Sequence, residues 1–543
     1  MTLVYPDNLE VFDPNADPVI DPWVRPMDWP AMPADATNKV SIITAVFNDA
    51  SNYVALNCAV SSGNYQVDWG DGTVDSVAST TQANHTYDYA DADLPSVTAR
   101  GYKCATIIIT PVTGGANITS LTFNAKNTRT GLQAYSQPWL DILINAPSCT
   151  TLNTFGGSNA PSRLLERVDI TAIGGITTLA NAFLNCRSLQ VINFPSGSLA
   201  SVTTLNLAFS NCGALQQAIF PDGGLASVTN IGDMFNGCAA LRKVVFPSGS
   251  LASVTTAPSA FSGCRSLRTL KLPPGSFSSG SLTSINGIFT SCSALERFEF
   301  PSGSLGSVTN IGSAFSGCSN LKEVVFPSGL SGVTSMNSTF ASCLSLQRVS
   351  FPSGALAPAG AADWAAAFLS CGSLEEITFP SGSGASVTTL SGTFNSCGAL
   401  RSVSFASGSL ANVTTLANAF ATCTALQKVE FPSGSLGSLT DISGAFSNCN
   451  SLQEIVFPAA GLGAITNTSS AFSGCPSLGR IQNCDIPVSF SVAQCKLSGT
   501  ALDEIYTALP TITSQTITVT NNHGTVDDTP AIAEGKGWLV TGS

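Results

Sequence analysis

From about residue 176 to residue 480 the chain writes one pattern of apolar and polar positions again and again. A representative stretch, Phe235–Thr255, reads FNGCAALRKVVFPSGSLASVT. Val228, Ile231, Phe235 and Cys238 are spaced by 3, 4 and 3, which predicts one or two helical turns with a single apolar face. Leu241, Val244 and Phe246 follow as L-x-x-V-x-F, the alternation of a short strand. Pro247 ends that strand because it cannot donate to a ladder. Ser248-Gly249 then turns the chain, and Leu251 and Val254 return to the interior.

The interval is nearly constant. Phe-x-x-Cys pairs run from Phe183/Cys186 to Phe472/Cys475, with Cys-to-Cys steps of 26, 26, 26, 28, 26, 25, 28, 26, 26, 26 and 26. A fixed period of this size predicts a solenoid in which each unit stacks on the last. Degenerate units are expected at its ends, where one neighbour is missing. Leu165-x-x-Val168-x-Ile170 keeps the strand pattern with Ser162 at the Cys position, and Trp139-x-x-Ile142-x-Ile144 and Ile118-x-x-Leu121-x-Phe123 read as weaker copies. Beyond Leu478-x-x-Ile481, the segments LSGTALDEIYTALP, QTITVTNNHGT and TPAIAEGKGW read as helix, strand and short helix, a C-terminal cap.

Upstream the pattern changes twice. Residues 1–39 carry seven prolines interleaved with Tyr5, Phe12, Trp23 and Trp29, which predicts an extended arm whose aromatics dock onto a partner. From Val40 the alternating segments VSIITAVF, YVALNCAV, YQVDWGDGTVDSV and NHTYDY predict a small β-sandwich over 40–112. The expected organisation is therefore arm 1–39, sandwich 40–112, solenoid 113–480 and cap 481–543, a mainly β protein with short helices.

Two sets of residues resemble known families. Tyr65-x-Val67-Asp68-Trp69-Gly70-Asp71-Gly72-Thr73 with His85-x-Tyr87 resembles the core of a PKD-like domain, a spacer or interaction fold. The resemblance implies structural roles for Trp69 and Asp71. The repeat V-T-x-[IM]-x-x-x-F-x-x-C-x-x-L-x-x-[VI]-x-[FL] resembles the BspA-like leucine-rich repeats of bacterial and phage surface proteins. A WGDG module ahead of such repeats is a familiar pairing in that group. The segment WVRPMDWPAMP and the chain's end resemble phage structural proteins.

Charge and cysteine narrow the chemistry. Only 10% of residues are charged, and the net charge of −12 is concentrated in residues 1–182, with 17 acidic against 8 basic side chains. That is not the basic footprint of a nucleic-acid binder. The opening MTLVYPDNLE has no basic n-region or apolar h-region, so no secretory leader is expected, and no apolar run is long enough to span a bilayer. Synthesis in a cytoplasm would leave the 17 cysteines as thiols. Twelve of them in register supply parallel vectors, poor geometry for tetrahedral zinc or for disulfides, so Cys238 and its equivalents, like Phe235, are read as core filler. No cofactor or metal is expected. Asp68, Asp71 and Asp75 offer oxygen ligands for Ca²⁺, but turn capping is the commoner use of such carboxylates. His85 and His523 are the two histidines, and nothing in the sequence sets either beside a nucleophile.

Of 23 charged residues between 183 and 480, 17 fall four, five or seven positions after a repeat Cys, so they gather on one outward strand face. Arg242, Lys243, Arg268, Lys271, Arg297, Lys322, Glu323, Glu375, Glu376 and Lys428 are the candidates for binding a partner or glycan there, against the alternative of a merely solvated face. Glu375 and Glu376 also raise a polysaccharide hydrolase, but adjacent strand residues are expected to point opposite ways, and glycosidases need facing carboxylates. The expected function is a non-enzymatic phage virion protein, tail-associated or decorating the capsid. Its arm would hold other virion proteins and its solenoid a host-surface glycan or protein. A bacterial adhesin is the alternative.

Overall fold

The structure, a computed structural model, describes residues 20, 22–48, 52–125, 138–153, 155, 162–303, 305–356 and 362–542. Eleven strands open it: β1 (Lys39–Val46), β2 (Tyr53–Val60), β3 (Asn64–Asp68), β4 (Val74–Ala78), β5 (Gln82–Thr86), β6 (Lys103–Pro111), β7 (Ile118–Thr122), β8 (Trp139–Ala146), β9 (Thr151–Asn153), β10 (Arg167–Ile173) and β11 (Val191–Asn193). They form a seven-stranded sheet of order β11-β10-β8-β1-β6-β3-β4 and a four-stranded sheet of order β5-β2-β7-β9.

These sheets do not stop where the sandwich pattern stops. Ile142 of β8 lies opposite Ile42 of β1 in an antiparallel pair and opposite Val168 of β10 in a parallel one. Likewise β7 pairs antiparallel with β2 and parallel with β9. Each sheet of the sandwich thus continues as one wall of the solenoid, and one hydrophobic core runs from Val40 to Trp538. Phe123 belongs to a different column from the one its I-x-x-L-x-F spacing suggests. It stacks on Phe155 at 4.4 Å, which stacks on Phe183 at 5.2 Å, so it heads the phenylalanine column of the Phe-x-x-Cys positions.

Among the described residues the repeats hold no helix of the kind the 3-4-3 spacing predicts. Between the walls the chain runs through overlapping turns in which Cys238 N–H bonds Phe235 O and Leu241 N–H bonds Cys238 O. Alternate amides leave the rung altogether: Leu205, Leu207, Phe209 and Asn211 donate to Asn230, Gly232, Met234 and Asn236 of the next one. A helix would keep these bonds inside its own turn. The cause is backbone geometry. The residues five before and one before each repeat Cys have positive φ, as at Asp233 (52°) and Gly237 (76°), or Asn418 (54°) and Thr422 (62°). Such left-handed residues break helix propagation, and Gly, Asn, Asp and Ser predominate there.

One wall is built from three-residue parallel strands such as Lys243–Val245, Arg297–Glu299 and Lys428–Glu430. The other is a ladder of isolated bridges, Thr178 to Thr204 to Asn230 to Thr256 and onward, reinforced by threonine. Thr229 gives Thr203 O both its N–H at 2.9 Å and its hydroxyl at 3.2 Å. That explains the recurrent Val-Thr of the repeat. Proline-serine turns close most rungs, with Ser250 Oγ donating to Pro247 O at 2.8 Å.

At the far end the segments expected as helix, strand and short helix are α1 (Gly499–Ala508), strand Gln515–Thr518 and α2 (Ala531–Glu534). Ser498 caps α1 by accepting from Ala501 N–H. The cap is itself layered: Phe490–Ser491, Gln515–Thr518 and Trp538–Thr541 pair in parallel as further rungs.

The docking of the N-terminal aromatics is a correction. Trp29 is buried among Ile43, Ala45, Tyr102, Cys104 and Leu140, with Trp23 packed at its edge, so both dock onto this chain's own first sheet rather than onto a partner. Arg25 pairs with the buried Asp141, Trp23 Nε1 donates to Glu166, and the Arg100 guanidinium lies 5.5 Å over the Trp29 ring. An apolar sheet face with no other cover is the physical reason. Tyr5 and Phe12 lie outside the described residues.

Candidate recognition surface

The strand wall presents the charges. In most of the short strands the central residue is buried and its neighbours are more exposed, as in Lys243–Val245 and Arg297–Glu299. Lys243, Arg297, Glu323, Glu376 and Lys428 lie in these strands, and Arg242, Arg268, Lys322 and Glu375 immediately precede the strand position. Lys271 closes a strand position that forms no ladder. All the predicted wall residues therefore share one surface. Arg348, at the same position in its rung as Lys243, belongs with them, as do Arg401 and Arg480, three wall cations outside the predicted set.

Register decides how these charges meet. Parallel pairing sets Arg297 opposite Glu323 and Glu323 opposite Arg348, and sets Lys428 opposite Glu454 and Glu454 opposite Arg480. Arg268 grips Glu296 through Nε at 3.0 Å and Nη2 at 2.7 Å, while Lys322 approaches the same carboxylate at 3.7 Å. Arg401 reaches Glu375 at 3.8 Å, and Lys428 reaches Glu430 at 3.1 Å and Glu454 at 3.2 Å. Partial burial works against the Glu454 carboxylate, but bonds from Gln482 and Lys428 and the Arg480 charge outweigh it and hold its pKa below the usual value. Much of the face is thus an alternating ladder of ion pairs. Exposed pairs of this kind add little stability, but they oppose mispaired register.

The wall is not continuous. Its hydrogen-bonded strands fall into separate groups, and no ladder pairing joins Lys243–Val245 to Arg297–Glu299 through the rung at 269–271, or Arg348–Ser350 to Glu376–Thr378. Grooves open at these seams. One of about 600 Å³ lies between residues 269–274 and 297–302, with Leu270, Leu272 and Phe298 in its lining and Lys271 and Arg297 beside them. Another of about 680 Å³ is lined by Gln347, Arg348, Glu375, Glu376, Thr378 and Arg401. Glu375 lies ahead of its strand, so both neighbouring glutamates line one groove instead of pointing to opposite faces.

Behind the wall the thiols form a column. Each donates to the carbonyl of the preceding rung's phenylalanine, Cys238 Sγ to Phe209 O at 3.0 Å and Cys318 Sγ to Phe289 O at 3.1 Å. Phe183 and Phe209 stack at 5.2 Å with ring planes 2° apart, and the column continues to Phe472. All 17 cysteines are buried and unpaired by disulfide. Burial pushes Cys238 and Cys343 up to about 12.

The rung therefore has a Phe column, a thiol column, a threonine ladder and a charged strand wall, repeated without change of topology. The BspA type leucine rich repeat region matches over residues 169–278, 233–359, 283–416 and 364–493. The chain belongs to that family. No curated protein is similar enough in sequence to count as a relative. Among solved structures, a leucine-rich repeat protein from Bacteroides ovatus is 21% identical over 69% of this chain and 91% of its own, with a TM-score of 0.43. A leucine rich cell surface protein from Faecalibacterium prausnitzii is 21% identical over 73% and 94%, with a TM-score of 0.30. The pneumococcal vaccine antigen PcpA is 11% identical over 78% and 84%, with a TM-score of 0.27.

Ahead of the BspA-type repeats, the WGDG stretch is a closed hydrogen-bonded cluster. Asp71 accepts from Thr73 through both N–H and hydroxyl and meets His85 Nε2 at 2.6 Å. Burial alone would raise the Asp71 pKa, but these partners lower it overall. Asp68 caps Gly70 N–H, Asp75 accepts from the Trp69 indole, and Tyr87 donates to Trp69 O. The three carboxylates thus act as turn and side-chain caps. Gly70 is required: at φ +77° a Cβ would sit 2.5 Å from Thr106 O. His85 stacks on Trp69 at 4.8 Å, so it is part of this core. Among the described residues no helix is long and apolar enough to cross a membrane, and no group of three or more His, Cys, Asp or Glu could hold a metal.

Proposed function

We propose that this BspA-type protein is a non-enzymatic recognition scaffold displayed at a surface, holding its partner along the strand wall. One observation carries the reading. Phe, Cys, Thr and Pro-Ser positions are each committed to a stack, a carbonyl or a turn, so the outward strand positions are where the rungs differ in chemistry. Repeat scaffolds recognise partners through such freely varying surfaces. The partner expected there is a glycan or protein of a bacterial surface. The test compares binding of the purified chain to bacterial envelopes before and after charge reversal on the wall, Lys322→Glu with Arg268→Glu. Matched substitutions of exposed threonines on the opposite wall serve as control. Loss with the first set alone supports the reading, and equal binding by both sets overturns it.

The sandwich would serve as a PKD-like spacer, a reading supported by the packed Trp69, Asp71, His85 and Tyr87 cluster. A finer reading makes the displaying surface a phage virion, assembled in the host cytoplasm, with residues 1–39 joining it to other virion proteins. Its support is the resemblance of residues 23–33 and of the chain's end to phage structural proteins. Trp23 and Trp29 are engaged within the chain, so any anchoring would fall to the residues before them. An antibody against the solenoid that labels purified particles would support this reading, and unlabelled particles would remove it.

A further inference from the structure

The Cys-to-Cys step lengthens to 28 residues at two places, Cys264 to Cys292 and Cys343 to Cys371. At both places the strand wall loses its ladder and a groove opens, as also happens between Ser402–Ser404 and Lys428–Glu430 within an ordinary step. In the first, Leu272 stands where Phe220 and Phe246 stack at 5.4 Å in earlier rungs, and Pro273-Pro274 replaces the usual Pro-Ser. A smaller side chain and a second missing amide leave the rung open.

The cations of the wall divide along the same lines. Arg268, Arg297, Lys322, Arg401, Lys428 and Arg480 are each in an ion pair, and Arg242 and Lys243 also have partners. Among the described residues, Lys271 and Arg348 stand on the wall with no ion pair or side-chain hydrogen bond, and each lines one of the two grooves. Both are exposed. A third groove, at 402–407 and 428–433 within a 26-residue step, contains Lys428, whose ammonium is already paired with Glu430 and Glu454. The two free cations therefore coincide with the two lengthened steps. They lie three rungs apart, about 14 Å along the axis at the ordinary spacing of stacked strands.

We propose that the two grooves are paired subsites for one acidic polysaccharide lying along the strand wall, its anionic groups meeting Lys271 and Arg348. The proposal rests on the recognition reading above and names the partner's class. The linings choose the polymer. Gln347, Thr378 and Glu376 beside Arg348 suit a hydroxyl-rich chain, which can donate to the carboxylate and accept from the amide. Leu270 and Leu272 in the first groove suit the apolar face of a sugar ring. A DNA duplex carries a charge every ~1.7 Å of its axis and each strand one every ~3.4 Å, far denser than two cations three rungs apart. Glu299 and Glu376 in the linings would repel so dense a polyanion.

The test titrates the full chain with oligogalacturonates of graded length and hyaluronate, alongside neutral dextran and single-stranded DNA. The expected result is binding to at least one acidic polymer, appearing only above the length that spans both grooves and weakening with salt. Lys271→Gln and Arg348→Gln should each weaken it about tenfold without changing the melting temperature. Arg265→Gln, an exposed cation off the wall, should leave it unchanged. Binding of none of the acidic polymers, equal affinity in both variants, or tighter binding of DNA would overturn the proposal. If the acidic polymers fail while envelope binding still responds to wall charge reversal, the polysaccharide is wrong and the recognition reading stands. If envelope binding is also indifferent to the wall, that reading falls too.

Discussion

Cys238 shows what the repeat's most suggestive residue does. A serine would carry a more strongly hydrated hydroxyl into an apolar column, and an alanine would leave a gap and remove the donor to Phe209 O. A thiol fills the space and makes a weak bond. Burial raises its pKa to about 12, so almost none is thiolate near neutrality. Native protein is expected to leave all 17 thiols unreacted toward a thiol-specific reagent at pH 8, with reaction on denaturation. Rapid labelling of several in the native state would contradict the column. Cys238→Ala should cost about 1–2 kcal/mol in urea unfolding, from a small cavity and a lost hydrogen bond.

At the scale of elements, the strands were readable and the turns between them were not. Leu241, Val244 and Phe246 mark their strand because one face is buried and Pro247 ends it. The 3-4-3 spacing of Val228, Ile231, Phe235 and Cys238 imitates a helix because overlapping three-residue turns repeat at nearly the same period. The distinguishing signal lay in the polar positions: Gly, Asn, Asp or Ser five and one before the Cys, where the backbone is left-handed. Leu207 breaks that rule, with φ at 56°. Left-handed geometry costs an ordinary side chain about 1 kcal/mol or more. Leu207→Asn should therefore raise the melting temperature, whereas Gly237→Val, whose Cβ would meet Asn211 Oδ1 at 2.4 Å, should lower it. The opposite order would mean that the turn stack is wrongly described. The charged wall itself was legible from spacing alone, because positions four, five and seven after the Cys flank the buried strand residue. Its seams were not, since they depend on which strands pair.

Over the whole molecule, sandwich and solenoid share two sheets and one core, a continuity that depends on pairings such as Ile42 with Ile142 that no local pattern announces. The N-terminal strap covers the outer face of the first sheet at this junction, and the sequence showed its aromatics without showing their target. Asp141 is buried with Arg25 and Arg167 as its facing charges, and burial raises its pKa despite them. Arg25→Ala should destabilise the N-terminal end on the order of 3 kcal/mol by leaving that carboxylate under-compensated. Hydrogen exchange should then quicken in β1, β6 and β8 while the rungs near Cys449 are unaffected. Unchanged exchange would show that the strap is incidental.

The claim that the strand wall is the recognition surface is tested most directly by hydrogen-exchange footprinting of the full chain with and without bacterial envelope polymer. Protection is predicted at the strand-wall positions 242–245, 268–274, 296–302, 347–350 and 375–378, with the threonine ladder and the sandwich unchanged. Protection confined to the threonine ladder or the sandwich would contradict the account.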